Sequence, residues 1–237
     1  MDNAIYAGLA RQSGLMREMQ VVANNIANLS TTGFRREGVV FAEHVRALDG
    51  SPSLSMGRAS ARHIDLSQGD LAATGSRFDF AIRGAGFFLV ETPAGERLTR
   101  AGHFLPDPEG GLVTPQGHRL LDAGGARVAL PPGTRDIALG EDGTLSADGL
   151  PVARIGLWQP ADPKDLQHEA GTLFRSGAVE PLEDPGTVLQ GHLETANVNA
   201  VIEIARMIEV SRSYELGQSL LDREDERIRG VIQTLAR

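Results

Sequence analysis

The stretch Ala23-Asn24-Asn25-Ile26-Ala27-Asn28-Leu29-Ser30-Thr31-Thr32-Gly33-Phe34-Arg35 ends one kind of chain and opens another. Upstream of it no Pro occurs, and Ile5, Leu9, Met16, Met19, Ala23 and Ile26 fall on spacings of four and three once Gln12 is counted as a polar member of the seam. A second row, Leu15, Val22 and Leu29, repeats every seven. With Asp2 as N-cap and Gly33 as stop, the pattern predicts a helix over residues 3 to 28. Three Asn within five residues weaken an isolated helix. Asn24, Asn25 and Asn28 read either as a fraying helix end leading to Gly33 or as side chains that hydrogen-bond across a helix interface and fix its register.

The other end of the chain repeats the pattern. From Asn199 to Ala236 there is no Pro, and Val210, Tyr214, Gly217, Leu221, Ile228, Val231 and Leu235 sit on alternating spacings of four and three, broken only by Glu224. Between Val201 and Val210 the only polar residues are Glu203, Arg206 and Glu209, so the apolar surface is wider than a single stripe and one partner helix does not cover it. Those three charges read as a solvated stripe with helix-local ion pairs or as pairs that orient neighbouring subunits.

The middle differs. Residues 70 to 190 hold 11 of the 12 prolines. Short apolar runs (Phe78 to Ile82, Phe87 to Val90, Gly111 to Thr114, Arg119 to Leu121, Arg127 to Leu130, Ile137 to Leu139, Val152 to Trp158) alternate with turn signals such as Asp107-Pro108-Glu109-Gly110 and Ala147-Asp148-Gly149. This predicts an all-β module of hairpins. Glu109-Gly110-Gly111-Leu112 followed by Gln116-Gly117 is echoed by Asp142-Gly143-Thr144-Leu145 followed by Asp148-Gly149, which suggests two similar hairpins. The fold class expected is α+β and multidomain, in four parts. Residues 1–33 and 191–237 form helices that pair as a coiled-coil-like stem, 34–69 a linker with an extended or hairpin segment, and 70–190 the central β-domain. Within the linker, Asp49-Gly50-Ser51-Pro52-Ser53-Leu54-Ser55 reads as extended or mobile.

Composition and motifs exclude much. The 237 residues contain no Cys, which removes disulfides, thiolate metal sites and cysteine nucleophiles, and the formal net charge of -8 argues against a general nucleic-acid binder. No run of 18 apolar residues predicts a membrane span, and the N-terminus lacks the basic and apolar regions of a cleaved signal. The chain is therefore expected to stay in the cytosol or to leave by a route that keeps its N-terminus. Arg83-Gly84-Ala85-Gly86-Phe87-Phe88 has Leu89 where a dinucleotide loop needs its third Gly and leads into a strand, so it reads as a hairpin turn or bulge. The six histidines show no ligand spacing, and no Gly-x-Ser-x-Gly elbow exists. Asp122, Glu141 and Asp142 are the carboxylates that glycoside chemistry would need, but each lies in a turn sequence. No catalytic residue, metal site or cofactor is expected.

Three blocks carry a family resemblance. The stretch Ala23 to Arg35 closely resembles the N-terminal signature of the bacterial flagellar rod and hook axial proteins. Leu193-Glu194-Thr195-Ala196-Asn197-Val198-Asn199, with Met207-Ile208-Glu209 and Arg212-Ser213-Tyr214-Glu215, resembles their C-terminal signature. Asp79 to Phe88, Thr99-Arg100-Ala101-Gly102-His103-Phe104 and Leu112-Val113-Thr114-Pro115-Gln116-Gly117 are similar to their β-domain core. Ala196, where Ser is more usual, and Gly217 inside the C-terminal helix are local departures. The opening Met1-Asp2-Asn3-Ala4-Ile5-Tyr6 and the modest length look most like a proximal rod member, with a distal rod member as the nearest rival.

The resemblance implies a structural subunit of the basal-body rod in the periplasm, without enzymatic activity. It would be exported by the flagellar type III apparatus without signal cleavage and assembled with itself and neighbouring rod proteins into the drive shaft that transmits torque. Phe41 and Val45 match the spacing of an export-gate motif and serve equally well as packing residues. On this reading Ile5, Leu9, Met16, Met19, Val22, Ile26, Leu29, Val201, Ile204, Ile208, Leu221, Ile228, Val231 and Leu235 form assembly surfaces. Asn24, Asn25, Asn28 and Asn197 set register. The alternative of a different class is a periplasmic glycan-binding or glycan-cleaving β-domain protein.

Overall fold

The computed structural model describes residues 2–48, 51–169, 171–183 and 186–235. The chain divides into two compact units, one of residues 1–27, 37–65 and 198–237, the other of residues 28–36 and 66–197.

The first unit holds two long helices, α1 (Asp2–Ala27) and α2 (Ala200–Leu235), and a hairpin of β1 (Glu37–Leu48) with β2 (Ser51–Ile64). Asn199 starts α2, its Oδ1 accepting from the amides of Val201 at 3.0 Å and Ile202 at 3.2 Å. The helices run antiparallel. A Cβ on Gly8 would lie 3.0 Å from Leu221 Cδ2, Gln12 Nε2 donates to the Tyr214 carbonyl at 2.9 Å, Glu18 pairs with Arg206, and Asn25 with Glu203. Gly217 now has a reason, since a Cβ there would fall 2.7 Å from Gln12 Nε2.

One seam needs correction. The row of Leu9, Gln12, Met16, Met19, Ala23 and Ile26 alternates exposed and half-buried side chains, with Leu9 and Met16 at 59% and 40%, while Leu15, Val21 and Val22 are buried. The heptad row of Leu15 and Val22 is thus the inner face. Both the hairpin and α2 pack on α1, and two neighbours select a face that helical spacing by itself leaves ambiguous. The hairpin occupies much of the segment expected as a linker, running antiparallel from Glu37 opposite Ile64 to Leu48 opposite Ser51, with an irregularity at Val40/Phe41. Small polar residues such as Ser51, Ser53 and Ser55 suggested slack chain, but backbone pairing satisfies donors and acceptors whatever the side chains are. Asp49 and Gly50 lie outside the described residues.

The second unit is built from short antiparallel strands. Its largest sheet has seven, in the order Gln167–His168, Leu173–Arg175, Gly95–Thr99, Phe88–Thr92, Arg119–Leu120, Leu112–Val113 and Leu105–Pro106. A three-stranded meander joins Ile137–Leu139, Thr144–Ala147 and Leu150–Arg154. The core unites Phe80, Phe88, Phe104, Leu112, Leu120 and Leu145, with the Phe88 and Phe104 rings edge to face at 5.6 Å. Arg127 to Leu130 makes isolated bridges instead of the expected strand, and Val152 to Trp158 is interrupted by Ile155-Gly156-Leu157. The sequence echo is structural. Gly110 and Gly143 both have positive φ (86° and 84°), and their carbonyls accept from Leu130 N and Ile155 N at 2.8 Å. Among the described residues no helix is long and apolar enough to cross a membrane.

Candidate assembly surface

In the helical unit, α2 turns one side toward α1 and leaves another uncovered. Val210 is 2% exposed, and Tyr214, Leu221 and Ile228 are half-buried, so the predicted seam faces inward over most of its length. Val201, Ile202, Ile204 and Ile208 are 76%, 59%, 50% and 48% exposed, and Leu216, Leu220, Val231 and Ile232 are exposed further along the helix, separated by charged residues. On α1, Tyr6 and Leu9 are exposed, Met19, Ile26 and Asn24 half-buried, and Val22 buried. The side chains of Ile5, Val45 and Leu235 lie outside the described residues; Phe41 is 43% exposed.

The polar groups of this unit are placed differently from a solvated stripe. Asn25 is fully buried. Its Nδ2 donates to the Glu37 carbonyl at 2.8 Å and to Glu203 Oε2 at 3.1 Å, and its Oδ1 accepts from Glu37 N at 3.0 Å. One amide thus joins α1, β1 and α2. Glu203 is also fully buried, which separates it from Arg206 and Glu209. Burial disfavours the charge on Arg206, but hydrogen bonds to Glu18 and Glu209 outweigh that and hold its pKa above the ordinary value.

In the β unit, the loop after α1 is held by a buried ion cluster. Gly33 adopts φ +71°, and a Cβ there would lie 2.3 Å from the Arg100 carbonyl carbon and the Ala101 nitrogen, so only glycine fits. Gly33 N donates to the Glu194 carbonyl at 2.7 Å, and Phe34 is fully buried against the His168 ring. Arg35 Nη2 lies 2.8 Å and Arg100 Nη1 3.1 Å from the Glu194 carboxylate, which also accepts from Gly69 N at 2.9 Å. Burial pushes the Arg100 guanidinium down to about 10, against the opposing pull of Glu194. Asn197 closes the loop, its Oδ1 accepting from Arg36 N at 2.6 Å and its Nδ2 donating to the Ser67 carbonyl at 2.8 Å. Asn28 acts locally, accepting from Thr31 Oγ1 at 3.1 Å.

Arg35, Arg100 and Glu194 each lie within a signature block, and the resemblance by itself assigns them no role. The available signal was one charge inside each otherwise uncharged block, with signs that pair. Two of the three turn carboxylates, Asp122 and Asp142, brace their own turns. Asp122 Oδ1 accepts from the amides of Gly124 and Ala126, and Asp142 accepts from Thr144 N and Oγ1, which holds its carboxyl below the ordinary value.

Three family profiles match the chain in order. One described as flagella basal body rod protein covers residues 5–35, a flagellar hook protein FlgE/F/G D1 domain covers 81–147, and a flagellar basal body rod FlgEFG protein C-terminal region covers 189–234. Together they define the class as an axial protein of the flagellar rod and hook type. The chain is 39% identical to the flagellar basal-body rod protein FlgF of Caulobacter vibrioides, over 100% of this chain and 99% of the relative. Identity to FlgF of Mesorhizobium japonicum is 35% over 99% and 98%, and to the rod protein FlgG of Bacillus subtilis 28% over 98% of each. The chain belongs to the FlgF family of flagellar basal-body rod proteins, a family of structural rod components and not of enzymes.

Proposed function

We propose that this chain is a proximal-rod subunit that leaves the cytoplasm through the flagellar type III apparatus without signal cleavage and assembles in the periplasm with copies of itself and neighbouring rod proteins. The observation that carries the reading is the exposed apolar surface at the start of α2, Val201, Ile202, Ile204 and Ile208, which α1 leaves uncovered. Buried against neighbours, each such valine or isoleucine contributes about 1 to 2 kcal/mol. Heterologous contacts repeated in this way extend into a helical tube. Asn25 and Asn197 fix the geometry from which the helices are presented, and the β unit stiffens the outer layer for torque. The four-part division into residues 1–33, 34–69, 70–190 and 191–237 is retained as an export and assembly layout, with Phe41 and Val45 as the export-gate pair.

Similarity to FlgF relatives at 33–39% identity, against 27–30% for FlgG relatives, supports the proximal over the distal position. A cryo-EM map of isolated basal bodies tests this reading. Density for this chain in the proximal rod is expected; its presence only in the distal rod or hook, or its absence, overturns the reading.

A further inference from the structure

The β unit holds a cleft of about 580 Å³, walled by residues 141–142, 154–158, 181–183 and 186–188 together with Ala123. That lies within the roughly 300 to 1,000 Å³ of ordinary ligand sites. Backbone pairing fixes these segments in place. Trp158 N donates to the Phe87 carbonyl at 2.9 Å and the Trp158 carbonyl accepts from Phe87 N at 2.8 Å, Leu182 N donates to the Leu157 carbonyl at 2.9 Å, and Val188 N to the Glu141 carbonyl at 3.2 Å. A cleft preformed in this way loses little freedom when it is filled.

Two polar groups of its wall lack a partner. Trp158 is 9% exposed, and its indole N–H, which can only donate, meets no acceptor. Gly156 leaves that edge of the ring uncovered, since a Cβ there would stand 3.0 Å from Nε1. The Thr187 hydroxyl of the same wall is also without a partner. Buried donors are nearly always satisfied, so two orphans in one cleft call for an acceptor from outside the chain. The wall beside them is apolar, with Ile155, Leu157 and Val188 all buried. A donor set among aliphatic side chains suits a compact group that carries one carbonyl and one methyl, which is an acetamido group.

The other side of the cleft has different chemistry. Glu141, Asp142 and Glu183 line it beside Arg154. Asp142 is occupied by Thr144 N and Oγ1, whereas among the described residues Glu141 and Glu183 have no side-chain partner. An excess of carboxylates repels phosphates and other anions and accepts hydrogen bonds from hydroxyl groups.

We propose that this cleft binds a neutral sugar bearing acetamido groups. The acetamido carbonyl accepts from Trp158 Nε1 and Thr187 Oγ1, its methyl packs on the aliphatic wall, and ring hydroxyls donate to Glu141 and Glu183. The site binds and does not cleave. It is independent of the assembly reading, because all of these residues belong to the β unit and none to the helices.

Trp158 is the chain's single tryptophan, so its fluorescence reports on the cleft alone. The full-length protein is titrated with N,N′-diacetylchitobiose and, separately, with cellobiose, which has hydroxyls where the first sugar has acetamido groups. A saturable change in emission is expected with the acetylated disaccharide, along with a rise in Tm at saturation, and cellobiose should bind about tenfold more weakly. Thr187→Val and Glu141→Gln break no hydrogen bond of the free protein. Each is expected to keep its Tm and to weaken the acetylated disaccharide about tenfold. The absence of a saturable change overturns the proposal, as does equal affinity for cellobiose or unchanged affinity in both variants. Tighter binding of a basic N-acetylated tripeptide overturns it in favour of a peptide occupant.

Discussion

The Glu194 carboxylate lies 2.8 Å from Arg35 Nη2, with each side chain 1% exposed. Arg100 approaches the same carboxylate at 3.1 Å, so removing its charge strands two buried guanidinium groups. Breaking a buried pair costs about 3 to 5 kcal/mol. Glu194→Gln is expected to lower Tm by roughly 10 °C, at about 2 to 4 °C per kcal/mol for a chain of this size. The exposed Arg127 and Glu91 pair provides the contrast: Glu91→Gln should leave Tm unchanged in the same calorimetric series.

Gly33 and Gly75 share φ +71° but differ in surroundings. A Cβ on Gly33 meets backbone at 2.3 Å, whereas one on Gly75 meets nothing within 4 Å. Gly75→Ala should therefore cost only the backbone strain, on the order of 1 kcal/mol. Gly33→Ala adds a clash with backbone that cannot move aside and should cost at least about 3 kcal/mol. Urea denaturation of the two variants measures the difference.

Gly217 presents a balance of opposing effects. Ala in a helix interior is favoured over Gly by about 1 kcal/mol. Its Cβ, however, would displace Gln12 Nε2 and with it the 2.9 Å bond to the Tyr214 carbonyl, worth about 1 kcal/mol. Gly217→Ala is expected to be nearly neutral, and the double variant with Gln12→Ala to be more stable than Gln12→Ala alone by about 1 kcal/mol.

Acid sensitivity should trace in part to Glu169. The hydrogen bond from Arg97 holds its carboxyl below the ordinary value of 4.5. A carboxylate with a depressed folded pKa contributes stability above the unfolded value and loses it as pH falls through the folded one. Stability measured from pH 5 down to pH 3 should fall less steeply in Arg97→Met than in the wild type. Parallel profiles would contradict the assignment.

Much of this was legible in the residues. Two Pro-free ends with three-and-four spacing become α1 and α2, and the paired Gly signals become the two similar turns at Gly110 and Gly143. Periodicity did not reveal which face of α1 turns inward, because that depends on the β1–β2 hairpin packing beside it. The segment 34–69 reads as extended or hairpin without a choice between them, because Ser-, Ala- and Gly-rich chain has a weak strand preference and its pairing is set by backbone. The residues around Asn25 suggest either a fraying helix end or a polar contact across helices, and its bonds to the backbone of Glu37 depend on that same hairpin. The Arg35, Glu194 and Arg100 cluster joins residues far apart in the chain, and the lone charge that each block carries does not by itself say that the three meet.

The central claim is that the exposed face of α2 drives assembly. It is tested most directly by replacing two half-exposed residues together, Ile204→Asp with Ile208→Asp, and measuring incorporation into isolated basal bodies. The account predicts a monomer with wild-type helicity and a Tm within about 2 °C, since neither side chain is part of the buried seam. It also predicts loss of the chain from basal bodies and loss of swimming. Rods of normal composition containing the double variant, in motile cells, would contradict it.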